Sequence, residues 1–191
     1  MNKYLIIFAH PSRNSHNGFM LQKLEEKLKS NNQNYEVLDL YQLNYNPVLQ
    51  DAELYSAGRR LIDSENQIYQ QKIKTANRLI LIFPTWWQGP PAILKGFIDR
   101  VFVSGFAFIY DKGLPKGLLS GKKSAVFTTT GASSFITRYL LRAPSLKIIT
   151  RYTLLFCGIR SRGFSLGQAR KLEKNEKKLN KIADKILTYL K

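Results

Sequence analysis

Three apolar runs stand out along the chain because they do not alternate with polar residues: Lys3-Tyr4-Leu5-Ile6-Ile7-Phe8, Leu79-Ile80-Leu81-Ile82-Phe83 and Ser124-Ala125-Val126-Phe127-Thr128. Such runs suit strands covered on both faces, the arrangement of a parallel sheet. Tyr35 to Leu40 and Thr153 to Gly158 read as two further strands. The segments between them carry helical spacing. One helix is predicted from Gly18 to Leu28, with Phe19, Leu21, Leu24 and Leu28 facing inward, and a long polar helical region from Asp51 to Ala76. A third helix follows Pro90 and Pro91 and is apolar at 93, 94, 97, 98, 101 and 102. Residues 135–151 read as one helix plus a loop broken at Pro144, and Gln168 to Leu190 as a final helix. That helix places Leu172, Leu179, Ile182, Ala183, Ile186 and Leu190 on one face, with Lys171, Lys174, Lys178, Lys181 and Lys185 elsewhere. Gly105 to Gly117 is irregular, with Phe106, Phe108 and Tyr110 alternating. Alternating strands and helices imply an α/β fold, a parallel sheet with helices on both faces. The expected order of its five strands is 2-1-3-4-5, and residues 1–191 are expected to form a single domain.

In that order the switch point lies between the first and third strands, and ligands bind at the carboxyl edge there. The loops at that edge are rich in chemistry. After the first strand come His10-Pro11-Ser12-Arg13-Asn14-Ser15-His16-Asn17, hydroxyls, amides and two imidazoles at a helix N-terminus. Free backbone N–H groups and the helix dipole favour an anion in such a place. Neither G-x-x-x-x-G-K-[ST] nor G-x-G-x-x-G follows this strand, so phosphate chemistry here is not that of a nucleotide hydrolase. After the third strand, Pro84-Thr85-Trp86-Trp87-Gln88-Gly89 places two tryptophans where a loop is expected, suited to walling a flat aromatic ligand. The fourth-strand loop, Thr129 to Ser134, joins them.

Composition narrows the chemistry. With two histidines and one cysteine, and no clustered acids, a metal site is not expected. No Ser/His/Asp set and no carboxylate pair is positioned for acid–base work, so no catalytic side chain is assigned. Cys157 lies in the apolar run Leu154-Leu155-Phe156-Cys157-Gly158 and reads as a core thiol. A lone cysteine, no signal-peptide pattern and no 18-residue apolar span suggest a cytoplasmic protein. The net charge of +17 is uneven: residues 112–191 hold 18 Lys and Arg against Glu173, Glu176 and Asp184.

Ala9-His10-Pro11…Ser15-His16-Asn17, then Phe83-Pro84-x-x-Trp87-x-x-Pro90-Pro91-x-x-x-Lys95-x-x-Ile98-Asp99-Arg100-Val101-Phe102, then Thr129-Thr130-Gly131, resemble the flavodoxin-like NAD(P)H:quinone oxidoreductases. That group includes flavin-binding ancillary subunits of potassium-efflux systems. The resemblance implies a flavodoxin-like fold and flavin phosphate contacts from His10, Ser15, His16 and Asn17. It implies isoalloxazine contacts from Pro84, Thr85, Trp86, Trp87 and Gln88, and from Thr129, Thr130, Gly131 and Ala132. Phe106, Phe108 and Tyr110 match a segment that contributes to the acceptor pocket, often across a homodimer interface. The implied activity is ping-pong hydride transfer from NAD(P)H through flavin to quinones or nitro and azo compounds. FMN is expected over FAD, because the long C-terminal extension of the FAD-containing animal enzymes is lacking. The chain departs from the family pattern in Ala132, which replaces a glycine, and in lacking the histidine that follows this loop in the best-known quinone reductases.

The basic residues Arg138, Arg142, Lys147, Arg151, Arg160 and Arg162 have three candidate partners: NAD(P)H phosphates or an anionic acceptor, an anionic membrane or membrane partner, and nucleic acid. Nucleic acid is not expected, because no binding motif or stacking surface accompanies the charge. The alternative function is a flavin-binding regulatory subunit docked on a membrane transporter.

Overall fold

The computed structural model describes residues 3–54, 61–133 and 135–191; the side chain of Arg138 lies outside the described residues, as do Ser134 and part of the polar region expected to be helical from Asp51. The chain runs β1 (Lys3–Phe8), α1 (His16–Ser30), β2 (Asn34–Asp39), a 3-10 turn (Asp51–Glu53), α2 (Ser64–Thr75), β3 (Arg78–Pro84) and α3 (Ala92–Val101). A hairpin, β4 (Phe108–Asp111) and β5 (Leu114–Gly117), leads to β6 (Lys123–Thr129). A π-helical turn (Ile136–Leu140) precedes α4 (Pro144–Lys147), which continues as a π-helix (Ile148–Leu155) into β7 (Arg160–Leu166) and α5 (Glu176–Leu190).

β2-β1-β3-β6-β7 form one parallel sheet. With the hairpin set aside, this is the expected 2-1-3-4-5 order. Side chains of a strand point alternately to its two faces, so each central strand feeds two cores. Leu5, Ile7, Leu79, Leu81, Phe83 and Val126 pack with α2, α3 and the 148–159 segment. Ile6, Phe8, Ile80, Ile82, Ala125 and Phe127 pack with α1 and α5. These strands lack alternation because both faces are covered.

The fifth strand corrects the sequence reading. Thr153–Leu155 is the end of a helical segment and Phe156–Gly158 a turn after it, and the strand is β7, Arg-Ser-Arg-Gly-Phe-Ser-Leu. An apolar run of this length cannot be assigned to strand or helix by periodicity alone. Here Leu154 and Cys157, one helical turn apart, are buried while Leu155 is exposed. Among the described strands β7 pairs only with β6, and its side chains are largely solvent-accessible, so it has no need of an apolar sequence. Other boundaries shift too. Met20, not Phe19, completes the buried stripe of α1. α2 begins only at Ser64, and the last helix only at Glu176, after an irregular stretch from Gln168. The aromatic segment expected to be irregular contains the β4–β5 hairpin.

The loop after β2 is clamped to α3 by a buried ion pair. Arg100 Nε donates to both Glu53 carboxylate oxygens at 3.0 and 2.9 Å. Asn66 joins them, donating to Glu53 and accepting from Tyr45 Oη at 2.9 Å. Burial pushes the Tyr45 hydroxyl up to about 12, so it stays a donor.

Candidate functional site

The loops after β1, β3 and β6 meet at the carboxyl edge of the sheet. The first is wound around Ser15, the N-cap of α1. Ser15 Oγ accepts from the Gly18 amide at 3.1 Å and donates to the Ser12 carbonyl at 2.8 Å. The remaining first-turn amides have no intrahelical acceptor, which leaves donors and the positive helix end for an anion. The loop lies so close over the helix that a Cβ on Gly18 would stand 1.8 Å from the Arg13 carbonyl oxygen. Arg13 pins the loop's outer side, with Nε and Nη2 each 3.0 Å from Asp39 Oδ2 at the end of β2. His10 Nδ1 lies 3.0 Å from the Ser12 amide nitrogen and 2.7 Å from its carbonyl oxygen. Burial lowers its pKa below the ordinary histidine value, against a smaller opposing effect of that backbone contact.

Threonines lock the other two loops. The Thr85 amide donates to the Thr129 carbonyl at 2.8 Å, and the Thr85 and Thr128 hydroxyls are 2.8 Å apart. Thr130 Oγ1 donates to the Ala132 carbonyl at 2.9 Å. Asn17 ties the first loop to the third, donating from Nδ2 to Thr129 Oγ1 at 2.9 Å. Its Oδ1 is buried without a hydrogen-bond partner. A buried acceptor left unmet costs about 1–3 kcal/mol, and in a native protein it calls for a cause.

The tryptophan loop is strained. Trp86 and Gly89 exchange backbone hydrogen bonds at 3.1 and 2.9 Å, closing a two-residue turn over Trp87 and Gln88. Both have positive φ, 48° and 61°, a geometry that favours Asn and Gly. Trp87 at its tip is fully exposed.

Ten of the thirteen expected flavin contacts, His10, Ser15, His16, Asn17, Pro84, Thr85, Trp86, Thr129, Thr130 and Gly131, line one cleft of about 380 Å³. Trp87, Gln88 and Ala132 do not line it. Phe106, Phe108 and Tyr110 lie apart from it as well, on and before the hairpin, where Phe108 packs edge-on against Tyr110 and Phe156. Asn14 and Ala169 also line the cleft. Beside it, sharing Gly131, opens a larger cleft of about 630 Å³. Arg170, Lys171, Lys174 and Lys178 face this second space with Ala132, Ser133, Gln168 and Asn175. The sequence places these lysines only off the apolar face of the last helix, with no part in the site. Once the fifth strand is placed at 160–166, the segment after it arrives at the same sheet edge as the other loops, which is the signal that would have found them. Among the described residues there is no cluster able to hold a metal ion, and no helix is long and apolar enough to cross a membrane.

The donor set suits a phosphorylated aromatic cofactor, with anion donors at the α1 N-terminus and an aromatic and threonine wall opposite. Comparison with known proteins points the same way. Residues 2–190 match the flavodoxin-like fold family. An uncharacterized NAD(P)H oxidoreductase of Haemophilus influenzae is 39% identical over 131 residues, 68% of this chain and 65% of that protein. The rat NAD(P)H dehydrogenase [quinone] 1 is 33% identical over 153 residues, 70% of this chain and 55% of its own length. The chain thus spans less than two thirds of the length of both curated relatives. The NAD(P)H:quinone oxidoreductase of Methanothermobacter marburgensis superposes with a TM-score of 0.82 at 27% identity, covering 95% of each chain.

Proposed function

Since the chain belongs to the flavodoxin-like family of NAD(P)H:quinone oxidoreductases, we propose that it is a single-domain flavoenzyme passing hydride from NAD(P)H to quinones or nitro and azo compounds. The observation that carries this reading is the cleft itself, where three loops far apart in sequence converge on one helix N-terminus and leave the Asn17 Oδ1 acceptor unmet. A flavin supplies the hydride chemistry when bound, and the protein supplies binding and orientation. Ser15 and the first-turn amides of α1 hold the phosphate, while His10, His16 and Asn17 line that end. Pro84, Thr85, Trp86, Thr129, Thr130 and Gly131 wall the ring. Trp87 and Gln88, at the strained turn, and Ala132, at the boundary with the basic cleft, complete the contacts.

FMN is our preferred cofactor. FAD is the alternative favoured by one feature, the basic cleft adjoining the flavin cleft at Gly131, which an additional phosphate and nucleoside could enter. We take the enzyme to be a cytoplasmic homodimer. The exposed aromatic and aliphatic side chains Trp87, Phe135, Tyr139, Leu140, Tyr152 and Leu155 support a face covered by a second copy. In that assembly Phe106, Phe108 and Tyr110 serve the acceptor pocket of the second copy. The relatives described above are oxidoreductases and lend no support to a transporter-docking subunit.

The test is an absorbance spectrum after flavin addition and desalting, then anaerobic titration with NADPH and NADH. A retained flavin band that bleaches with either nucleotide is the expected result. Chromatography of the released flavin separates FMN from FAD. A protein that stays colourless after reconstitution with either flavin overturns the proposal.

A further inference from the structure

His16 and Asn175 are 159 residues apart in sequence, yet their side chains meet in the wall between the two clefts. Both are almost fully buried, at 9% and 6% exposure. Asn175 Nδ2 lies 3.2 Å from His16 Nε2, 3.1 Å from the Lys171 carbonyl oxygen and 3.4 Å from the Gln168 carbonyl oxygen. Two carbonyls can only accept, so the atom facing them is the amide nitrogen and not its oxygen. An amide N–H₂ can only donate. The amide has two hydrogens for these three acceptors, and the longest contact, to Gln168, is the one shared. An Nε2–H here would set donor against donor, so His16 Nε2 is assigned as the unprotonated ring nitrogen, with the proton on Nδ1.

We infer that Asn175 is a positioning residue for the flavin site, locking His16 as the neutral Nδ1–H tautomer. His16 then serves the cleft as an N–H donor fixed in one orientation. This rests on the flavin reading of the cleft. The charged side chains around the pair are consistent with a neutral ring. Arg170, Lys171, Lys174 and Lys178 line the cleft on the Asn175 side, and Arg13 belongs to the loop that precedes His16. Among the described residues no acidic side chain lines either cleft. With four cations beside it, a phosphate needs no imidazolium, and a neutral ring avoids adding like charge.

The chain has two histidines, so nitrogen-15 labelling of histidine gives two ring systems, and His16→Asn assigns them. The wild-type long-range proton–nitrogen spectrum should show His16 with Nδ1 protonated and Nε2 bare. Nε2–H in the wild type overturns the inference without any variant. Asn175→Asp replaces the donor with an acceptor, and His16 Nε2 should become protonated; an unchanged ring spectrum in the folded variant also overturns it. The functional arm takes the ratio of FMN dissociation constants, variant over wild type, at pH 6 and pH 8, so that titration of the phosphate itself cancels. The ratio should be higher at pH 8 by about threefold or more, because the imidazolium that the introduced carboxylate permits at low pH is lost there. Asn175→Leu supplies neither donor nor acceptor and should give a ratio independent of pH. Equal ratios for Asn175→Asp at both pH values would reduce Asn175 to a structural cap and overturn the positioning role. If the wild type retains no flavin, the flavin reading fails while the ring spectrum still decides the tautomer.

Discussion

Replacing Gly18 with alanine sets two physical effects against each other. Gly18 lies inside α1, and glycine in a helix costs about 0.5–1 kcal/mol relative to alanine, so propensity alone expects stabilisation. The packing expects the opposite. The new Cβ would stand 1.8 Å from the Arg13 carbonyl oxygen, 2.5 Å from its carbonyl carbon and 2.7 Å from its Cα, all backbone atoms. Ordinary contact begins at 3.4 Å, so loop and helix must part by about 1.6 Å. The cap bond from the Gly18 amide to Ser15 Oγ is already 3.1 Å long and does not survive such a shift. Losing an N-cap costs about 1 kcal/mol and forced overpacking about 1–3 kcal/mol, which outweigh the propensity gain. A net loss of about 1–3 kcal/mol is expected in urea unfolding of the flavin-free protein. Flavin binding should suffer more, because in the proposed site the displaced loop carries the phosphate donors. Losing one hydrogen bond to a charged group costs about 1.5–3 kcal/mol, or roughly 10–100-fold in affinity. Flavin fluorescence quenching measures it directly. A Gly18→Ala protein that is as stable as wild type, or more so, and binds FMN within twofold would refute the close-approach argument.

Other perturbations test other links. Asn17→Leu removes a side chain whose Oδ1 is unmet, so the flavin-free protein should unfold within about 1 kcal/mol of wild type while FMN affinity falls at least tenfold; matched losses in the two assays would make Asn17 purely structural. Arg100→Leu strands the buried Glu53 carboxylate and should cost about 3–5 kcal/mol in chemical denaturation, with Glu53→Leu in the same chain recovering a large part; no recovery would mean that packing, not charge, sets the cost. Gln88→Gly relieves a left-handed residue, and should raise stability by up to about 1 kcal/mol in thermal unfolding, whereas a clear loss would show that the Gln88 side chain holds the turn. Burial pushes the Cys157 thiol up to about 12, so a thiol reagent at pH 8 should label the protein only at its unfolding rate; rapid labelling of the native state would contradict the packing around the 148–159 segment.

What the sequence disclosed follows from burial. β1, β3 and β6 were legible because strands covered on both faces must be apolar throughout, and few other arrangements demand this. Their order alone brings the loops containing His10, Thr85 and Thr129 to one edge. β7 was illegible for the converse reason. As an edge strand it tolerates Arg160, Arg162 and Ser165, while the apolar residues nearby, Leu154 and Cys157, serve a helix face. Misplacing it hid the Gln168–Asn175 stretch, which follows β7 to the site. Asn175 carries no local signal at all. Its role depends on meeting His16 across the whole chain, and periodicity says nothing about such a pairing.

The uneven charge acquires a location from the same topology. An edge strand can be basic at little cost, since its outer side chains stay hydrated and like charges discourage pairing with another sheet. β7 uses that freedom at Arg160 and Arg162, whose guanidiniums do not line the basic cleft; Arg162 lies instead over the Phe164 and Tyr189 rings. The chain then turns at the carboxyl edge, and there Arg170, Lys171, Lys174 and Lys178 converge beside the α1 N-terminus. Within the Debye length of about 8 Å at physiological salt, such a group raises the local concentration of anions whatever their identity. The basic second half is therefore two things. Part of it is a hydrated edge and helix surface, which should matter little to flavin binding. The other part is a field focused beside the α1 N-terminus, where the proposed site places the phosphate, and only this part should make flavin association sensitive to salt.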